Sequence, residues 1–312
     1  MAHGMEDRQP SARGADAPAR GKPSLEWSIS FTTALAIAFT VVCWAAAFVG
    51  IRDAVRYFSP GPLAFSRYVV ASVVLAALLV LSRAPLPDRK DWLRLAVVGF
   101  MGITAYNLAL NYGSQFIQSG SAAFLVNTAP IFTVIFAVIS LKEKVTPVAI
   151  GGIVLGFVGA TLIFLGEGKG VAVEPAAFLI LLAAVVFSLY FILQKPLLQH
   201  YTSLQVVSMA VWAGTLFLVP AALDVAAELA GASSRSIGIV VFLGLFPGAL
   251  AYASWSYVLS RIPASKAGSF IYCVAPTTVL IAWLWLGEVP TPLSLAGGFL
   301  ALSGVVITNT WG

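Results

Sequence analysis

The fold is decided by the segment Ser121–Phe164, which reads SAAFLVNTAPIFTVIFAVISLKEKVTPVAIGGIVLGFVGATLIF. It contains two apolar runs joined by a short charged hinge, and each run of about 20 helical residues would rise about 30 Å, the thickness of bilayer hydrocarbon. The same design recurs in Lys266–Asn309, which reads KAGSFIYCVAPTTVLIAWLWLGEVPTPLSLAGGFLALSGVVITN. We interpret the two segments as an internal duplication of a helical hairpin.

The two copies match residue by residue at positions that affect helix geometry. Matched residues are 146 positions apart at the Ala-Pro pair and 145 apart from the glutamate onward, so the first copy carries one extra residue between them. Weaker matches extend the duplication into the preceding helices. The matched pairs are Ala129 with Ala275, Pro130 with Pro276, Glu143 with Glu288, Pro147 with Pro292, Gly152 with Gly297, Gly159 with Gly304, Phe100 with Phe246, Gly102 with Gly248 and Tyr106 with Tyr252.

The composition indicates a membrane protein. Of the 312 residues, 59% are hydrophobic and only 10% are charged, whereas soluble domains carry about 25% charged residues. The net charge of +5 comes from basic residues scattered through short loops, so we expect no nucleic-acid partner. Cys43 and Cys273 fall inside apolar runs, and the only histidines, His3 and His200, are far apart. We therefore expect no metal site and no cofactor.

The apolar runs predict ten membrane-spanning helices. They are apolar on all sides, which excludes the alternating strands of an outer-membrane barrel. Residues 1–26 lack periodicity and predict a disordered cytoplasmic tail. The predicted spans are Ser30–Gly50, Pro62–Leu81, Trp92–Tyr112, Gly120–Leu141, Pro147–Gly166, Pro175–Leu198, Leu204–Leu223, Ile237–Ser260, Ser265–Gly287 and Pro292–Trp311.

Five spans in each copy force an inversion. Because five is odd, the second copy enters the membrane from the opposite side, which predicts two inverted five-helix repeats at 27–168 and 173–312. With the amino terminus inside, 13 Lys and Arg residues lie on the inside and 4 on the outside. This bias predicts an all-α, multi-pass protein of the plasma (inner) membrane with both termini cytoplasmic.

Several motifs together resemble a known family. Ten helices in two copies, an Ala-Pro in spans 4 and 9, and a glutamate before a Pro-led helix are similar to the EamA-type branch of the drug/metabolite transporter superfamily. The motifs CWAAAF at 43–48 and VFSLYF at 186–191 are similar to the pattern that opens each repeat there. The resemblance to this family covers nearly all of residues 30–311, and within the family the chain is similar to the YddG-type aromatic amino-acid exporters. The resemblance implies that spans 1, 3, 4, 6, 8 and 9 surround a transport path and that spans 5 and 10 brace the ends.

All 13 acidic residues lie in the tail or at span ends. The middle of the membrane therefore lacks the carboxylate that a pump for lipophilic cations needs, and we expect an uncharged polar cleft with weak or no proton coupling. Arg67, near the start of span 2, either snorkels to the interface or lines the path. Glu143 and Glu288 each precede a Pro-led helix, where they either cap its positive end or take part in coupling.

The middle of the spans contains amide, hydroxyl and aromatic groups, which either join helices or line the path. Pro130 and Pro276 free the carbonyls of Val126 and Tyr272 for a further donor. Carbonyls and ring faces suit an ammonium group, and amide or hydroxyl donors suit a carboxylate. The candidate substrate-binding residues are Trp44, Tyr106, Asn107, Asn111, Asn127, Tyr190, Tyr252, Ser256 and Tyr272.

These features predict a secondary transporter, an exporter or facilitator that moves small amphipathic metabolites by alternating access. Neutral and aromatic amino acids fit the polar groups best. Exporters of nucleosides or lipophilic compounds, a channel, and a membrane protein without transport activity are the alternatives. An enzyme would need a cluster of catalytic side chains, which the sequence does not show. We expect a monomer whose partners are the small-molecule substrate and the lipid bilayer.

Overall fold

The computed structural model describes residues 29–117, 119–166, 175–286 and 289–312. These residues form helices without any strand, and ten of the helices are long and apolar enough to cross a membrane. The predicted all-α membrane fold is thereby confirmed. The predicted tail, Glu288 and the boundary between the repeats lie outside the described residues.

The ten helices agree with the predicted spans except at their edges. α3 and α8 begin three residues earlier than the apolar runs indicate, and a short helix that was not predicted, Val225–Gly231, precedes α8. The bounds are Phe31–Ala54 (α1), Pro60–Leu81 (α2), Arg89–Phe116 (α3), 119–141 (α4), Pro147–Gly166 (α5), Pro175–Leu197 (α6), Ser203–Ala222 (α7), Ser234–Arg261 (α8), 264–286 (α9) and Pro292–Thr310 (α10).

α5 and α10 pack along their length through glycines. A Cβ added to Gly152 would lie 2.7 Å from the carbonyl oxygen of Gly304, and one added to Gly159 would lie 2.6 Å from that of Gly297. Because Gly152 is equivalent to Gly297 and Gly159 to Gly304, each copy presents the same surface to the other, as in a two-fold interface. The crosswise pairing also makes the two equivalent helices antiparallel, which is the inversion that the repeats require.

The remaining helix contacts follow the same pseudo-two-fold axis. α1 packs against α8 and α9, and the equivalent α6 packs against α3 and α4. α2 and α7 meet each other across the axis, where the Trp212 indole nitrogen donates to the carbonyl of Ser72 at 3.1 Å. The two repeats therefore exchange helices and enclose one common centre.

Four helices lose regular geometry near that centre. α3 and α8 contain wide π-helical turns at equivalent positions, Phe100–Ala105 and Gly244–Ala251. α4 is interrupted between Val126 and Ala129, and α9 tightens into a 3₁₀ turn at Phe270–Cys273. Irregular turns inside a membrane helix leave backbone groups that must find other partners, so they mark positions where side chains or ligands come close.

We predict that Gly159→Ala lowers the melting temperature in detergent by several degrees, through a loss of about 1–3 kcal/mol of stability. The added Cβ would lie 2.6 Å from the Gly297 carbonyl oxygen, which forces the two helices apart. Gly151→Ala is the matched control, because a Cβ at Gly151 on the same helix meets nothing within 4 Å. Equal melting temperatures for the two variants would contradict the packing described.

Candidate functional site

A cavity lies between the two repeats at the irregular turns. The free space inside it is about 30 Å³, room for little more than water, so its own side chains nearly fill the cavity in this state. Its lining comes from α1, α2, α3, α4, α6, α8 and α9, whereas no described residue of α5, α7 or α10 contributes. The six helices that the family resemblance implies are all present, and α2 is added to them.

Aromatic rings form one continuous surface of the cavity, which we call the aromatic wall: Trp44, Tyr68, Tyr106, Phe187 and Tyr252. Tyr106 stacks on Phe187 with ring centroids 4.4 Å apart, and Trp44 meets Phe187 edge-on at 5.3 Å. Trp44 and Tyr68 both contact Tyr252, at 5.8 and 6.3 Å. Rings from both repeats thus touch one another, and a bound apolar group would pack between them.

Polar side chains in the cavity donate hydrogen bonds to backbone carbonyls of the wide turn of α3. The Asn107 amide donates to the carbonyl of Ile103 at 2.8 Å and to the Tyr68 hydroxyl at 2.9 Å. The Tyr252 hydroxyl donates to the carbonyl of Gly102 at 3.0 Å. These bonds join α2, α3 and α8, so Asn107 and Tyr252 hold the irregular turn in place at the same time as they line the cavity.

The position of Arg67 contradicts the expectation that the cleft is uncharged. Its side chain is only 3% exposed and lines the cavity, so it does not snorkel to the interface. α2 begins at Pro60, two residues before the predicted start, which places Arg67 a half-turn deeper. The missing Cβ of Gly244 lets α8 pack closely against the Arg67 backbone carbonyl, and this contact keeps that face of α2 inside the protein.

The Arg67 guanidinium has no partner in the described structure for its buried Nε and Nη1. The amide nitrogen of Asn127, at the break in α4, is also buried and unpaired. Both side chains line the same cavity. Sequence reasoning identified Asn127 but left Arg67 undecided.

The structure brings five of the nine predicted binding residues to the cavity and leaves four outside its lining. Tyr68 and Phe187 were missed, although Phe187 lies in the VFSLYF motif and Tyr68 directly follows Arg67. The five that line the cavity are Trp44, Tyr106, Asn107, Asn127 and Tyr252.

Two of the residues outside the cavity join helices. Asn111 shares a face of α3 with Asn107, as its spacing predicts, but its amide donates to the carbonyl of Pro60 at 3.1 Å. Ser256 donates to the Gln194 side-chain oxygen at 2.8 Å and so links α8 to α6.

The other two residues outside the cavity are buried tyrosines packed over glycines. The ring of Tyr190 lies against Gly102 on α3, and the ring of Tyr272 lies against Gly156 on α5. Both rings are fully buried and both hydroxyls lack a partner among the described groups.

One end of the bundle is tied together by two charged side chains. Glu143 accepts from the backbone amides of Ala264 and Ser265 at 2.8 and 3.0 Å, and from the Ser265 hydroxyl at 2.6 Å. The expectation that Glu143 acts on its own following helix is therefore wrong, because it caps α9 of the other repeat. Lys195 of α6 donates to the carbonyls of Leu259 and Ile262 at the end of α8.

The chain matches the model of the EamA-like transporter family twice, at residues 31–165 and 174–310. It is 37% identical over 278 residues to a "probable terminal-alkyne amino-acid exporter" of Streptantibioticus cattleyicolor, covering 88% of this chain and 92% of that protein. It is 34% identical over 265 residues to the uncharacterized transporter YdfC of Bacillus subtilis, covering 85% and 87%.

A solved crystal structure shares the fold, with a TM-score of 0.75 at 16% identity over 91% of this chain and all of that one. The two family matches fall on the two halves that pack about the pseudo-two-fold axis. The sequence motifs, the helix topology and the similarity to the family therefore indicate the same two repeats. The chain belongs to the EamA-like transporter family of the drug/metabolite transporter superfamily.

Proposed function

We propose that this membrane transporter exports amino acids with apolar or aromatic side chains, by alternating access. The observation that carries the proposal is the lining of the cavity between the inverted repeats, which combines the aromatic wall with a few buried hydrogen-bond donors. Once the rings move apart, such a lining suits a molecule with an apolar body and a polar end. The relative named as an exporter of terminal-alkyne amino acids supports the amino-acid class.

The wall can hold both the side chain and the ammonium group of an amino acid. Apolar side chains pack well between rings, and an ammonium group is attracted to ring faces. Val126 adds a second acceptor, because Pro130 has no amide proton to donate to its carbonyl and Val126 lies in the cavity lining. In the present state the rings touch one another, so we infer that binding separates Tyr106 from Phe187.

We infer that the end tied by Glu143 and Lys195 is the cytoplasmic gate. The excess of Lys and Arg in the loops at that end supports this orientation. Both contacts cross between helices that line the cavity: α4 to α9 and α6 to α8. Inverted repeats can exchange conformations with each other, so loosening these contacts would open one end while the opposite end closes.

The direct test of this proposal is counterflow of radiolabelled phenylalanine in liposomes that contain only this protein. We expect vesicles loaded with unlabelled phenylalanine to take up the radiolabel several-fold faster than vesicles without phenylalanine inside. No proton gradient should be required. Leucine should compete, and aspartate and lysine should not. If nucleosides or lipophilic cations exchanged and no neutral amino acid did, the proposal would be wrong.

We predict that Tyr106→Ala weakens phenylalanine exchange about tenfold in apparent affinity, because the variant removes a ring from the aromatic wall. Tyr112→Ala is the matched control on the same helix, since Tyr112 is 46% exposed and lies outside the cavity lining. Competition assays with unlabelled phenylalanine measure both. An equal loss in the two variants would show that the effect is not specific to the cavity.

We predict that Glu143→Gln slows exchange and lowers stability by about 1 kcal/mol, because a neutral amide caps the first amides of α9 less well. Lys144→Gln serves as the control, since Lys144 is a neighbouring exposed residue. The residual exchange of Glu143→Gln should still be independent of a pH gradient. Wild-type transport that is driven by a pH gradient, with the drive lost in Glu143→Gln, would assign coupling rather than capping to this residue.

A further inference from the structure

We propose that Arg67 and Asn127 form the site that binds the carboxylate of the transported molecule. This inference rests on the proposed function and adds one requirement to it: a substrate must carry a free carboxylate at one end of its apolar body. Nothing in the family match or in the names of the relatives assigns a role to either residue.

Arg67 and Asn127 are buried with polar atoms that lack partners. Arg67 is 3% exposed and Asn127 is 1% exposed, yet two guanidinium nitrogens and the amide nitrogen lack an acceptor in the described structure. Buried donors are almost always paired in folded proteins. The guanidinium lies near the ring of Tyr68, with its Cζ 5.8 Å from the ring centroid. Ring contact leaves the in-plane nitrogens free to donate.

Arg67 also carries a charge that no described side chain of the cavity balances. A guanidinium stays protonated in proteins, so Arg67 places a permanent positive charge inside the membrane. None of the acidic side chains in the described ranges lines the cavity or pairs with Arg67. A buried charge without a counter-charge is strongly unfavourable. An anionic group on the ligand supplies the missing counter-charge when the cavity is occupied.

The chemistry of the unpaired groups favours a carboxylate over other anions. The buried side-chain atoms of the described lining that lack a partner are all donors, Nε and Nη1 of Arg67 and the amide nitrogen of Asn127, which fits an oxyanion rather than a cation. A guanidinium presents two parallel N–H groups that match the two oxygens of a carboxylate. A phosphate ester carries close to two negative charges, and the described lining offers only one cation. The apolar surroundings therefore favour a monoanion whose body packs along the aromatic wall.

The unmodified protein allows the first test. Binding of phenylalanine and of phenylalaninamide to purified protein is measured by quenching of tryptophan fluorescence, to which Trp44 in the cavity wall contributes. The two ligands share the ring and the ammonium group, and only phenylalanine has a carboxylate. We expect phenylalaninamide to bind at least about tenfold more weakly. Equal affinities would overturn the inference and leave the proposed transport of amino acids in place, because phenylalanine would still bind.

Variants of Arg67 provide the second test. Arg67→Gln should lower phenylalanine affinity at least about tenfold and leave phenylalaninamide binding unchanged, and Arg67→Lys should recover part of the loss. Arg94→Gln is the control, because Arg94 is a surface arginine whose side chain is 76% exposed. Equal loss of both ligands, or no loss of either, in Arg67→Gln would overturn the inference.

Stability separates ligand binding from a structural role of Arg67. If the ligand supplies the counter-charge, ligand-free Arg67→Gln should melt at the same temperature as the wild type or higher, because an unpaired buried charge is removed. A markedly lower melting temperature would assign Arg67 to the fold and overturn the inference. If wild-type protein neither bound nor exchanged phenylalanine, the proposed function would fail instead, so the two failures are distinguishable.

Discussion

The close contact of α5 with α10 is the constraint on which the rest of the structure depends. Four glycines, two from each repeat, allow the helix backbones to meet, and they pair crosswise so that each copy contacts the other through the same surface. This pairing fixes the two-fold axis in the membrane plane and makes the repeats inverted. The inversion in turn places equivalent irregular turns of α3 and α8 on the two sides of one cavity.

The cavity contains backbone carbonyls and side-chain donors, and both cost free energy inside a membrane unless they have hydrogen-bond partners. Wide turns leave carbonyls that Asn107 and Tyr252 satisfy, so part of the polar lining is structural. Arg67 and Asn127 keep donors without partners, which we propose to be available to a ligand. The aromatic wall lines the same cavity and offers a surface for an apolar body. Fold and proposed function thus share the same few residues.

The helices and their symmetry could be predicted from the sequence, because hydropathy and the matched glycines and prolines act locally or at fixed spacing. The site could be predicted only in part. Asn111 and Tyr272 are polar groups at mid-span like Asn107, and only packing shows that they contact α2 and α5 instead of the cavity. The sequence does not decide whether Arg67 lines the path, because the depth of its side chain depends on where α2 begins. The sequence also does not show that Glu143 caps α9, because α9 approaches it from the other repeat.

Alternating access to the cavity is the central claim, and site-directed labelling tests it most directly. In a variant in which Cys43 and Cys273 are replaced by serine, Ala47→Cys places one thiol in the cavity lining, and Gln199→Cys places one on an exposed loop as a control. We expect a small charged methanethiosulfonate to label Ala47→Cys from both sides of the membrane, more slowly with phenylalanine present, and to label Gln199→Cys from one side. Labelling of Ala47→Cys from one side only, or from neither, would contradict the account.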